Sequence, residues 1–121
     1  MAIKHPTSLT ESTFHILLAL SGSEKHGYGI MVEVATQTNG SVSLGPGTLY
    51  GCLKRLLDAG WITEIDRSDF AADEREGTGF EGRRRYYRLT GQGADVLDAE
   101  LRRIQAITQL PTVRRILGGQ V

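Results

Sequence analysis

The segment Pro46–Ala59 constrains this chain more than any other. Proline suits a first helical turn because its missing N–H would be unpaired there anyway. Gly60 can supply the left-handed residue that closes a helix. At roughly 100° per residue, Leu49, Leu53, Leu56 and Leu57 fall in one arc and must face a core. Gly47, Thr48, Gly51, Lys54 and Arg55 fall opposite, and Tyr50 and Cys52 lie on the two borders.

The neighbouring segments frame this helix. Thr10 can cap a first helix with Glu11 in its first turn, and Phe14, Leu17 and Leu18 share one face. The run Ser21-Gly22-Ser23 ends it. His26-Gly27-Tyr28-Gly29 opens a second segment, where Ile30, Met31, Val34 and Ala35 repeat at helical spacing until Asn39-Gly40. Val42 and Leu44 flank Ser43 in a short extended piece at most.

After Gly60 the period changes. Residues 61–66 set Trp61, Thr63 and Ile65 against Ile62, Glu64 and Asp66, the alternation of a strand with one buried face. Residues 85–89 form a second, tyrosine-rich strand candidate, and residues 67–82 between them read as a polar, glycine-bearing loop. Thr90 caps a last long helix running to about residue 109, before Pro111. The tail, 111–121, has room for a further helical turn.

Three helices, a hairpin and a long helix give a mainly α class with a small β-hairpin. That order is the layout of a winged helix-turn-helix with a C-terminal dimerisation helix. The expected divisions are a winged-helix domain over 8–90, the dimerisation helix over 91–110 and the tail over 111–121.

Composition narrows the function. Fourteen basic residues balance fourteen acidic ones, which argues against a non-specific polybasic binder but leaves room for cations gathered on one face. A single cysteine precludes an internal disulfide or a paired-thiolate metal site and fits a reducing compartment. The longest purely apolar run, residues 16–20, is too short to span a bilayer, and no signal-peptide layout opens the chain. The expected location is cytoplasmic, with no membrane partner. His5, His15 and His26 are scattered without acidic or thiol companions at ligand spacing, so no metal or other cofactor is expected. Gly45-Pro46-Gly47 lacks the lysine and spacing of a phosphate loop, and no nucleophilic triad stands out, so no enzyme is expected.

The outer face of the third helix has the chemistry of a DNA reader. Gly47 and Gly51 remove bulk where a backbone must approach another surface. Lys54 and Arg55 can pair with phosphates or with the O6/N7 edge of guanine. Thr48 lies near a helix start that attracts anions, and Tyr50 can offer its phenol to a phosphate while its ring packs inward. A solvated face carrying two cations is the plainer alternative.

Charge is segregated along the hairpin. The stretch 66–81 carries six acids, Asp66, Asp69, Asp73, Glu74, Glu76 and Glu81, against Arg67 and Arg75, whereas Arg83, Arg84, Arg85 and Arg88 follow without an acid among them. Arginines at the base of a wing can grip phosphates, and Arg83 and Arg84 are the foremost candidates. An acidic tip is repelled by DNA, so the base is expected to make the contact and the tip to point away or stay mobile. A balance of Glu and Arg within the hairpin is the alternative.

Four motifs in order, His26-Gly27-Tyr28-Gly29-Ile30, Gly45-Pro46-Gly47-Thr48-Leu49-Tyr50, Leu53-Lys54-Arg55-Leu56 with Gly60, and Arg85-Tyr86-Tyr87-Arg88-Leu89-Thr90 with Gly93, resemble the PadR-like transcriptional regulators. The resemblance covers most of the chain from Leu9 to the last long helix. It implies a homodimeric winged-helix repressor in which Thr48, Tyr50 and Lys54 face DNA, the last helix pairs with its partner's, and an effector binds near the dimer interface. The short C-terminal region resembles the compact subgroup with one dimerisation helix. Two departures stand out: the wing loop is longer and more acidic, and the last long helix has no aromatic residue. Relatives that bind flat aromatic drugs use aromatic side chains there, which argues against flat-drug sensing in this chain.

Leu97, Leu101, Ile104 and Thr108 form a narrow stripe suited to a helix partner, with packing against the same domain as the alternative. Two recognition helices one DNA turn apart, roughly 34 Å, would read a palindrome. The expected function is therefore a ligand-responsive repressor acting as a homodimer on double-stranded DNA. A winged-helix protein-interaction module that does not bind DNA is the competing reading. No effector site is identified, although His15 beside Phe14 is either a polar edge of the core or an effector contact. Trp61 is expected to fill core. Cys52 is expected to pack, with oxidant sensing as the alternative.

Overall fold

The computed structural model describes residues 9–66 and 85–119. The expected wing loop, with Arg83 and Arg84, lies outside the described residues. Among the described residues, five helices and three short strands follow in the order α1 (Glu11–Leu20), β1 (Lys25–His26), α2 (Gly27–Gln37), α3 (Pro46–Ala59), β2 (Ile62–Asp66), β3 (Arg85–Leu89), α4 (Gly91–Thr108) and α5 (Pro111–Leu117). The tail reserved for one turn is a seven-residue helix, with Pro111 in its first turn.

The helix boundaries have local causes. The Thr10 hydroxyl accepts from the Thr13 N–H at 3.1 Å, which caps α1. His26 caps α2 with its ring, Nδ1 accepting from the Gly29 N–H at 3.1 Å. Past α2, Asn39 and Gly40 both take positive φ, and the Gly40 N–H closes back on the Ala35 carbonyl at 2.8 Å. Thr38 then ties the turn down. Its hydroxyl donates to the Val34 carbonyl at 2.8 Å and accepts from the Val42 N–H at 3.1 Å. Val42 and Leu44 are thereby held in the core without forming a strand. Gly60 ends α3 at φ 81°, as its place in the sequence predicts.

One strand escaped the sequence reading. β1 pairs antiparallel with β3, so the hairpin becomes a three-stranded sheet in the order β1-β3-β2. Two residues are too short for any periodic signal. The register sets Ile62 opposite Leu89, Glu64 opposite Tyr87 and Asp66 opposite Arg85. Ile62 and Tyr87 face the helices and are buried. On the other face, Ile65 lies opposite Tyr86, whose ring meets His26 edge-on at 5.2 Å.

Ile16, Leu17 and Leu20 of α1, Ile30 and Val34 of α2, and Leu49, Leu53 and Leu56 of α3 fill the centre of the core. Val96 and Leu97 of α4 join them, so the first turns of α4 pack against the winged-helix core. Trp61 packs partly buried at its edge.

Candidate nucleic-acid interface

The sequence of α3 sorts its residues as the wheel predicts. Leu49, Leu53 and Leu56 are buried, and Leu57 is partly so. Gly47, Thr48, Gly51, Lys54 and Arg55 are all exposed. Tyr50 is 51% exposed and is a border residue in space as on the wheel. Cys52 lies on the other border but is buried at 2% exposure. Five of the residues expected to face DNA are thus presented together on one helix.

Those cations are held. Lys54 Nζ lies 3.6 Å from Asp58 Oδ2, one turn along, with both side chains open to solvent. Such a pair contributes little to stability and exchanges readily. The Arg55 guanidinium donates to Cys52 Sγ at 3.2 Å, folding back along the helix beside Gly51. Cys52 therefore packs and also anchors a side chain of the exposed face.

Between α3 and the sheet lies an open cleft of about 290 Å³, with Leu53, Leu57 and Tyr87 at its floor and Tyr50, Lys54 and Arg85 at its margins. Arg85 Nε lies 3.3 Å from Glu64 Oε2 across the two strands. Burial, reinforced by the neighbouring Glu64 and Tyr50, pushes the Tyr87 phenol above its ordinary pKa, and Arg85 pulls it partly back. Arg85 and Tyr87 were not among the foremost sequence candidates. Their alternation along one strand face was the available signal.

The stripe on the last long helix divides. Leu97 is 4% exposed and lies in this chain's own core, so it is not available to an intermolecular seam. Leu101 is 39% exposed, and Ile104 and Thr108 are partly exposed. Ile107, Leu110, Ile116 and Leu117 extend the exposed apolar surface along α4 and α5. His15 sits edge-on to Phe14 with ring centroids 5.1 Å apart, and its buried Nδ1 has no hydrogen-bond partner among the described residues. Among the described residues no three His, Cys, Asp or Glu side chains converge on a metal position, and no helix is long and apolar enough to cross a membrane.

A three-helix core closed by a small antiparallel sheet, with the outer face of α3 exposed, is a winged-helix fold. The sequence model of the transcriptional regulator PadR-like family matches residues 16–99. The chain belongs to the PadR-like family, whose members are transcriptional regulators and not enzymes. No curated protein matches the sequence. Among solved structures, a PadR family transcription regulator from Clostridium difficile R20291 is 26% identical, with TM-score 0.61, over 89% of this chain and 99% of that one. Bacillus subtilis PadR in complex with operator DNA is 27% identical, with TM-score 0.58, over 74% of this chain and 45% of that one. A transcriptional regulator from Clostridium thermocellum shares the fold at 24% identity and TM-score 0.61, over 82% of this chain and 86% of that one.

Proposed function

We propose that this chain is a cytoplasmic, homodimeric repressor that reads a palindromic operator with the outer face of α3 and leaves it when a small ligand reshapes the dimer. The observation that carries this reading is the face itself. Gly47, Thr48, Gly51, Lys54 and Arg55 are exposed together while the leucines of the same helix are buried. Lys54 and Arg55 supply cations for phosphates or guanine edges, and the two glycines leave the helix surface low enough for close approach. Tyr50 donates its hydroxyl to a phosphate from the border. Arg83 and Arg84, next to Arg85 in sequence, are further candidate cations for phosphates.

The relative from Bacillus subtilis, described in complex with operator DNA, supports a DNA partner for the same fold. For the dimer, Leu101, Ile104 and Thr108 form the stripe that meets a second copy, extended by Ile107. Release by a ligand requires tighter binding to the geometry that does not fit DNA. His15, whose ring nitrogen Nδ1 has no partner among the described residues, is the candidate polar contact for that ligand.

Selection of bound duplexes from a random DNA pool tests the central claim. The expected result is an inverted repeat whose half-sites are one helical turn apart. Binding to that repeat should weaken steeply with added salt, as several phosphate contacts demand. Failure to enrich any sequence, or affinity indifferent to salt, would instead favour a protein-docking module.

A further inference from the structure

Gly27 opens α2 and is buried, yet it takes no positive φ, so its own backbone does not require glycine. Space does. A Cβ on Gly27 would overlap the Tyr50 hydroxyl, lie 3.0 Å from Tyr50 Cζ and touch Leu49 Cδ2 at 3.4 Å. The neighbouring Gly29 is different, because a Cβ there would meet nothing closer than 3.5 Å. Gly47 meets nothing at all within 4 Å, and Gly51 only the tip of Arg55 at 3.9 Å.

We infer that Gly27 is a positioning residue for DNA recognition: its missing side chain is the seat on which the Tyr50 phenol rests. This goes beyond the proposed function and depends on its claim that Tyr50 meets DNA. Tyr50 borders the cleft that Leu53 and Tyr87 floor, and the backbone of Gly27 meets its hydroxyl end. A tyrosine has few rotatable bonds, so contacts on its flank and at its tip leave the hydroxyl little freedom. The element carrying Gly27 begins where β1 ends, and β1 is paired to β3. The seat is therefore fixed by the sheet, and the phenol on the recognition helix is registered against the wing.

A methyl at position 27 would act on Tyr50 more than on the fold. Alanine is comfortable in a first helical turn, and the group it meets is the far end of a side chain that is half-exposed as a whole and can shift. Relief requires the hydroxyl to move by about 1 Å to regain ordinary contact distance. A displacement of that size breaks a hydrogen bond to a phosphate, whose charge makes the bond one of the stronger kind.

The test is a double-mutant cycle with Gly27→Ala and Tyr50→Ala, read as affinity for a duplex recovered by selection from a random DNA pool. Gly27→Ala alone should lower affinity about tenfold, the effect of one lost charge-assisted hydrogen bond, with the unfolding midpoint nearly unchanged. In the Tyr50→Ala background the same change should alter affinity less than about twofold. Full affinity for Gly27→Ala, while Tyr50→Ala weakens binding, overturns the inference and leaves the α3 reading intact. Equal losses in both backgrounds also overturn it, because Gly27 would then act without Tyr50. Full affinity for Tyr50→Ala removes both claims. If Gly27→Ala alone folds poorly, the comparison moves to the Tyr50→Phe background, which lacks the hydroxyl the methyl overlaps. A loss there of less than twofold supports the seat, and a tenfold loss contradicts it.

Discussion

Gly93→Ala is the sharpest stability test of the junction between α3 and α4. Gly93 lies in the first turn of α4, directly against the backbone of Trp61. A Cβ there would overlap the Trp61 carbonyl oxygen and lie 2.8 Å from its carbon and 3.1 Å from its Cα. All three atoms are backbone, so no side chain can swing away to relieve the clash. The start of α4 must move relative to the turn after α3. Two hydrogen bonds cross that junction: the Thr90 hydroxyl donates to the Gly60 carbonyl at 2.6 Å, and the Thr90 N–H donates to the Trp61 carbonyl at 3.0 Å. Each contributes about 1 kcal/mol net. Overpacking a close contact costs about 1–3 kcal/mol more. Helix propensity works the other way, returning up to about 1 kcal/mol on replacing glycine by alanine. The expected loss is about 3 kcal/mol, which lowers the unfolding midpoint by roughly 10–15 °C in a domain of this size. Chemical and thermal unfolding at fixed protein concentration measure it, with Gly91→Ala as the control. A Cβ on Gly91 would meet nothing within 4 Å, so that variant should match or slightly exceed the parent. A Gly93→Ala protein within about 1 kcal/mol of the parent would refute this account of the junction.

Other expectations follow from the site. Lys54→Ala should weaken binding to the selected duplex and lower the slope of log affinity against log salt by about one per protomer; an unchanged slope removes Lys54 from the contact. Leu101→Glu should give monomers in sedimentation, and an unchanged dimer would refute the seam on α4. Burial raises the Tyr87 pKa above the ordinary value of roughly 10. In the window above that value the unfolded chain gives up this proton first. The stabilisation is therefore complete below the unfolded value and lost as pH rises through the folded one. Alkaline unfolding should be less steep in Tyr87→Phe than in the parent, and parallel curves would contradict the assignment.

The parts legible in the sequence were those governed by local rules. Leucine spacing in α3, Thr10 and Thr90 at helix starts, and Gly60 after Ala59 each report a short-range constraint, and each is found where expected. What escaped depends on packing between distant segments. β1 exists because β3 offers an open edge, not because Lys25-His26 has strand propensity. Leu97 shares a helical stripe with Leu101, yet the helix enters the core at one and leaves it at the other. A wheel gives the angle of a residue around an axis and not the depth of that axis at each turn. Cys52 shows the same limit: a border angle in α3 proves to be a buried position because the helix sits deep there. Arg85 carries sequence context for a cation on a strand, but its placement over the cleft depends on the register with β2.

On the proposed function, local ion pairing bears on how a chain of zero net charge can bind DNA. Lys54 is paired with Asp58 and Arg85 with Glu64, at 3.6 and 3.3 Å, in geometries open to solvent. On the reading proposed above, a phosphate arriving at the cleft does not meet free cations; it takes them from carboxylates. The gain per contact is then the difference between two charge-assisted pairs, smaller than the full attraction of an unpaired cation. Long-range attraction is weakened as well, because the fields of Lys54 and Arg85 are offset by acids a few ångströms away. That leaves Arg55, held by the Cys52 thiol, as the cation of this face with no carboxylate contact among the described residues. Affinity for arbitrary DNA should accordingly be low, and discrimination must come from short-range fit: the low surface at Gly47 and Gly51, the seated phenol of Tyr50, and base edges within reach of Arg55. Asp58→Asn and Glu64→Gln should therefore raise affinity for unrelated duplexes by a larger factor than for the selected repeat. If both affinities rise equally, the acids act only through net charge and not through exchange at the cleft.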